Sequence, residues 1–138
     1  MPSNASNIDP YLNTVQWSRR FLGLRLFLAL AVAGWRGYGA HVERAVEVIE
    51  RVKERLLERG WSALNDSPLA VLCAAPSGTG NGNASEIRPI VSNLLASGRA
   101  WVARTTFEGK EVVRICNTHG ETTLADVDEL VEGLTAGR

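Results

Sequence analysis

The stretch "VQWSRRFLGLRLFLALAVAGW", residues 15–35, decides the fold, because it supports incompatible readings. As a membrane span it is short: residues 21–33 give thirteen positions interrupted by Arg25, against the roughly 18–20 apolar residues a bilayer requires. As an export signal it has more in its favour. Arg19 and Arg20 form a basic region, an apolar run follows, and Ala31-Val32-Ala33 offers a small-x-small cleavage site. "SRRFL" even approaches the twin-arginine pattern, although the usual spacer before Phe-Leu is missing. Arg25 inside the apolar run and eighteen residues ahead of the arginine pair count against export, which would predict cleavage after Ala33.

A buried helix explains more. Asn13 can cap the first turn while Gln16 reaches back, as in a capping box. Trp17, Phe21, Leu24 and Leu28 then recur at helical spacing, and Gly34 supplies a left-handed stop. A helix apolar on most sides must be covered by other protein, either its own domain or a partner.

The totals set the frame. A chain of 138 residues is one domain at most, and 45% apolar content suffices for a packed core. Fifteen basic residues balance fifteen acidic ones, so no net field favours nucleic acid or an anionic membrane. Cys73 and Cys116, 43 residues apart without CxxC spacing, fit buried free thiols in a reducing compartment, with one disulfide still open.

Downstream, "GWRGYG" reads as a turn, and residues 40–59 place Val42, Val46, Ile49, Val52 and Leu56 on one helix face. Charges fill the other face, Glu47 and Arg51 at i,i+4 among them, and Gly60 ends the helix. "PLAVLCAA" reads as a buried strand and "PSGTGNGNAS" as a loop. Ser85 or Asn83 caps a helix running to Gly98, with Pro89 in its first turn. "AWVARTTF" and "KEVVRICN" form a hairpin about Glu108-Gly109. A last helix from "ETTLAD" presents Leu124, Val127, Leu130, Val131 and Leu134. The order α-α-β-α-β-β-α predicts an α+β fold, an antiparallel sheet backed by helices and preceded by two long helices. The expected divisions are a flexible segment 1–12, a helical arm 13–60 and an α+β domain 61–138.

Little here carries chemistry by itself. "GTGNGN" sits between a strand and a helix, with Glu108 on a later strand as a possible ribose ligand. But Asn83 stands where a dinucleotide loop has its third glycine, and the strands return by a hairpin. His41 reads as a surface residue in the first turn of the second helix, and His119 as a solvated turn residue. No Cys/His cluster has zinc spacing. Arg114 is the informative charge. In "EVVRICN" the alternation sets Val112, Arg114 and Cys116 on one face and Val113 and Ile115 on the other. A guanidinium there pairs either with a local carboxylate, if the face is not simply solvated, or with a ligand carboxylate.

"DPYLNTVQWSRRFLGLRLFLALAVAGWRGYGAHVERA" and "VVRICNTHGETTLADVDEL" together resemble the C-terminal segment of the group II pyridoxal-phosphate-dependent decarboxylases. That family acts on aromatic amino acids, tyrosine, glutamate and diaminobutyrate. The resemblance runs from Asp9 to Leu134. It implies the small C-terminal domain of an aspartate-aminotransferase-like fold, with the "SRRF" helix packed on a large domain of a cytoplasmic enzyme rather than serving as a signal.

The resemblance also implies pyridoxal 5′-phosphate (PLP) in the complete homodimeric enzyme, an amino-acid substrate, and neither nucleic acid nor membrane as partner. The cofactor lysine, stacking histidine and pyridine-nitrogen aspartate of the family lie upstream of the matching region. Lys53 and Lys110, the only lysines, do not resemble that lysine, and Tyr11 stands too near the arginine pair to match the family's catalytic-loop tyrosine. No catalytic, cofactor-binding or metal-binding residue is therefore expected on this chain. Arg114 matches the closing-strand arginine that approaches the substrate carboxylate in glutamate decarboxylase relatives, and Arg19 and Arg20 match a pair that orients the small domain. The alternative is a noncatalytic interaction module or truncated gene product that uses its apolar first helix to bind a partner.

Overall fold

The computed structural model describes residues 22–78 and 84–136. The expected Asn13 cap, the Arg19–Arg20 pair and the segment 1–12 lie outside those residues, as does Asn83. Helix α1 (Leu22–Glu58) bends at Gly34, whose φ of 66° and ψ of 174° are closed to residues with a Cβ. The expected "GWRGYG" turn therefore contracts to one residue. Helical geometry resumes at Trp35 rather than near residue 40, because continuing the helix keeps the backbone bonds satisfied. His41 accordingly lies inside this run and not in its first turn.

The two halves of α1 differ in what they bury. Beyond the bend, Ala45, Ile49, Val52 and Leu56 form a buried stripe at three- and four-residue spacing, whereas Val42 is exposed and Val46 only half-buried. Before it, Phe27 is 66% exposed and Val32 90%, and Trp35 just past the bend is 78% exposed. The charged face is solvated, but Arg51 pairs with Glu54 at 2.9 Å rather than with Glu47.

Strand β1 (Trp61–Ala63) follows the turn at Gly60. Three residues are too few to show a period, so it was not legible as a strand. Its Trp61 is nonetheless among the largest fully buried side chains. Strand β2 (Val71–Pro76) pairs antiparallel with it, Trp61 opposite Pro76. Asn65 closes the loop between them: its Nδ2 donates to the Val71 carbonyl at 3.0 Å, and its Oδ1 accepts from the Cys73 amide at 2.6 Å.

Helix α2 (Ala84–Ser97) buries Ile87, Ile90, Val91 and Leu94. Ser85 is inside it rather than at its cap, and Pro89 is its sixth residue, where one intrahelical bond is lost. Strands β3 (Ala103–Phe107) and β4 (Lys110–Cys116) form the expected hairpin, with Glu108 at φ 49° and Gly109 at φ 78°. Two positive φ values mark the turn type that matches strand twist. The sheet order is β1-β2-β4-β3, antiparallel throughout.

Helix α3 (Leu124–Thr135) packs between α1 and α2, and buries Val127, Val131 and Leu134. Leu124, expected on the buried face, is 66% exposed because the first residue after the cap turns outward. Close approach matters at Gly133: a Cβ there would stand 2.5 Å from Leu94 Cδ1 of α2. The fold class is as expected, a four-stranded antiparallel sheet backed by helices. No helix among the described residues is long and apolar enough to cross a membrane.

The N-terminus of α3 carries a reciprocal cap. Thr123 Oγ1 accepts from the Asp126 amide, while Asp126 Oδ2 accepts from the Thr123 amide at 2.7 Å. That backbone bond, and then the Thr123 hydroxyl, hold the Asp126 carboxyl below its ordinary value. A depressed folded-state value stabilises the fold above the unfolded value and loses that contribution as pH falls through the folded one. Thr123→Ala should lower stability by about 1 kcal/mol in urea denaturation at neutral pH. Asp126→Asn should be less stable than the parent at neutral pH, with the gap closing as pH falls below about 4.

Candidate functional site: the Arg114 face of the sheet

Pairing assigns every strand residue to a face. Arg114 lies opposite Cys73 on β2 and opposite Ala103 on β3, so the three form one row across the sheet. Val71 lies opposite Cys116, and Thr105 opposite Val112, on the same face. The other face carries Trp61, Leu72, Ala74, Val113 and Ile115, all buried, and is the one the helices cover. Arg88 of α2 reaches Glu111 there, and Ile49 and Val52 of α1 share a cavity with Ile115.

The face bearing Arg114 is closed over Ala75 and Val112, which are fully buried, and open at Arg114 and Cys116, which are exposed. Arg114 makes no hydrogen bond or ion pair with any described residue. Arg104, the other strand arginine, contrasts with it. It lies on the helix side and binds Glu111 at 2.7 Å. By register, the charged strand residues on the open face are Lys110 and Arg114, and no strand carboxylate stands there. Of the alternatives open for Arg114, the local salt bridge is not formed among the described residues, and the guanidinium lies on an exposed sheet face with its donors available.

The two thiols are free, Cys73 buried and Cys116 exposed, so only one of the two expected buried thiols is buried. Burial pushes the Cys73 thiol above its ordinary value, an effect that the Arg114 guanidinium partly offsets. Cys116 stands two residues beyond Arg114 on its face, at the open edge.

The remaining candidates do not assemble into chemistry. His119 is exposed, and its Nδ1 accepts from the Glu121 amide at 3.3 Å. His41 packs against Gly120, where a Cβ would come within 3.0 Å of its Nδ1. Neither is brought to a nucleophile. Among the described residues no group of three or more His, Cys, Asp and Glu could hold a metal ion. A cavity of about 200 Å³ lies between α1, β4 and α3, lined by Ile49, Val52, Ile115 and Leu130, and it does not include Arg114. Most of the glycine-rich loop lies outside the described residues.

Among the described residues, neither lysine is placed to hold pyridoxal phosphate. Lys53 is engaged with Glu50 at 3.2 Å on the solvated side of α1, and Lys110 is exposed beside the hairpin turn. Neither stands in a pocket that would enclose the cofactor ring.

No protein-family model matches the chain. Its fold does match solved structures. The Catharanthus roseus tryptophan decarboxylase in complex with L-tryptophan superposes with a TM-score of 0.74 at 16% identity, over 95% of this chain and 30% of that one. An Oryza sativa TDC with PLP and tryptamine gives 0.73 at 21%, over 89% and 28%. The glutamate decarboxylase domain of a diaminobutyrate-pyruvate transaminase and L-2,4-diaminobutyrate decarboxylase from Vibrio parahaemolyticus gives 0.67 at 14%, over 82% and 25%. The resemblance drawn from the "VVRICNTHGETTLADVDEL" segment thus holds as a likeness of fold. The chain spans between a quarter and a third of the length of the structures it matches.

Sequence reasoning reached Arg114 but not its row. Ala103 could have been found by counting back across the Glu108–Gly109 turn. Cys73 could not, since the β2–β4 pairing is nonlocal. Native N-ethylmaleimide treatment should label Cys116 quickly and Cys73 only after unfolding, as followed by peptide mass spectrometry. Equal rates would contradict the assignment of burial.

Proposed function

We propose that this chain is the C-terminal part of a pyridoxal-phosphate-dependent amino-acid decarboxylase, in which residues 61–138 form the small domain and Arg114 anchors the substrate carboxylate. The observation that carries this reading is the exposed guanidinium of Arg114, unpaired with any described residue, on a sheet face whose strands bear no carboxylate. The matched folds support the assignment to a decarboxylase. On this reading the cofactor and its lysine belong to a large domain, and this chain alone neither binds the cofactor covalently nor catalyses.

The residues here bind and orient. The planar fork of Arg114 takes both oxygens of a carboxylate at once, which fixes the direction as well as the position of the ligand. A site on a paired central strand holds that direction better than one on a loop. The arm 13–60, apolar and exposed at Phe27, Val32 and Trp35, packs on the large domain, and two complete subunits form a dimer.

Joined to a cofactor-bearing large domain, an Arg114→Ala enzyme should lose roughly 10- to 100-fold in kcat/KM for its amino acid, the range expected for a charge-assisted hydrogen-bonding pair. Arg114→Lys should recover part of that loss, having the charge without the fork. An unchanged kcat/KM in Arg114→Ala would remove the anchor role.

The exposed arm favours a second reading, a noncatalytic module that binds a partner through α1. Size-exclusion chromatography of the isolated chain separates the two states of that helix. Oligomers that disappear in a Phe27→Ser, Val32→Ser, Trp35→Ser variant would support an unmet interface, whereas a clean parental monomer would oppose it.

A further inference from the structure

We infer that Ala103 and Cys73, the small residues flanking Arg114 across the sheet, are specificity-determining positions that keep the guanidinium open to a carboxylate from both sides. This rests on the reading of Arg114 as a carboxylate anchor and adds to it which neighbours admit the ligand. The argument is geometric. The Asn117 amide donates to the Ala70 carbonyl at 3.1 Å, so Ala70–Asn117 is a hydrogen-bonded pair. Alternation then makes Cys73–Arg114 a non-hydrogen-bonded pair, the close kind with Cα atoms about 4.5 Å apart. Any side chain at position 73 therefore stands directly against the stem of Arg114. Ala103 faces Arg114 from β3 as a hydrogen-bonded pair, the wider kind with Cα atoms about 5.5 Å apart, because the Arg114 amide and carbonyl that turn away from β2 turn towards β3.

Beyond Cβ, position 103 carries no heavy atom and position 73 carries one sulfur. The row is thus a trough one residue wide, with the guanidinium rising from its middle strand. On β3 the flank is larger one row away, where Thr105 stands opposite the fully buried Val112. A leucine at 103 would lie along the guanidinium and occupy the space a carboxylate needs. The ligand class that fits is a small monocarboxylate whose charged end lies flat across β4, its bulk pointing away from the sheet. Ala103 is half-buried, so enlargement there is accommodated more easily than at the buried Cys73.

Cys116, exposed two residues beyond Arg114, serves as the reporter in the full chain. Iodoacetate and iodoacetamide both alkylate a thiolate by displacing iodide, but only iodoacetate carries a carboxylate. The measured quantity is the ratio of the two alkylation rates at Cys116, read by mass spectrometry, with folding monitored by circular dichroism. In the parent, Arg114 should raise this ratio, and Arg114→Ala should lower it by about threefold or more at low salt. Ala103→Leu should lower it towards the Arg114→Ala value while leaving the iodoacetamide rate unchanged, and Ala103→Ser should retain the parental ratio. Ala103→Thr, a residue well suited to strands, replaces Leu if that variant does not fold. A parental ratio in folded Ala103→Leu or Ala103→Thr, with the ratio lowered in Arg114→Ala, would overturn the flanking role and leave the anchor standing. A parental ratio in Arg114→Ala would overturn the anchor and the flanking role together.

Discussion

The pairing of β2 with β4 is the constraint on which the other parts rest. Without it the sheet is two separate two-stranded units, β1–β2 and β3–β4, each marginal on its own in water. With it, Leu72, Ala74, Val113 and Ile115 form one apolar surface wide enough to hold three helices. The pairing is nonlocal: α2 and the β3 strand lie between its partners in sequence. Its register, Cys73 against Arg114 and Ala74 against Val113, also determines what surrounds the candidate anchor. A slip of one residue would turn Arg114 towards the helices, where a guanidinium without a partner costs free energy.

Helix α1 divides into two physical regimes at Gly34. Its C-terminal run repeats the ordinary logic of an amphipathic helix, with Ile49, Val52 and Leu56 against the core and charge pairs outside. Its N-terminal run exposes apolar residues such as Phe27 and Val32. A surface of that kind is what a domain interior shows when its other half is removed. The chain corresponds to between a quarter and a third of the length of each matched structure. Under the proposed function, the arm and the Arg114 face are the two surfaces through which this chain would meet a large domain and a substrate.

Much of the fold was legible, and the reasons are local. Glu108-Gly109 announced its hairpin because a two-residue loop between alternating strands has few other conformations. The last helix was marked by its Val127, Val131, Leu134 spacing. The misreadings share a cause. Trp61–Ala63 was too short to carry a period, and the "GWRGYG" glycines permit a turn as readily as a bend. Leu124 has the right spacing but the wrong place, since the residue after a cap faces outward. In each case a residue type allowed two structures, and packing elsewhere chose between them.

The candidate site divides in the same way. The alternation in "KEVVRICN" by itself determined that Arg114 shares a face with Val112 and Cys116, because strand periodicity is a property of the backbone. The turn at Glu108-Gly109 determined by counting that Ala103 stands beside it. Only the tertiary structure decided that this face is open at Arg114, that Cys73 flanks it from the other side, and that none of the described carboxylates answers its charge. Those facts depend on contacts between strands distant in sequence and on which side of the sheet the helices settle. A single chain read in order encodes the faces of its elements, but which face is left uncovered follows from the free energy of packing them all at once.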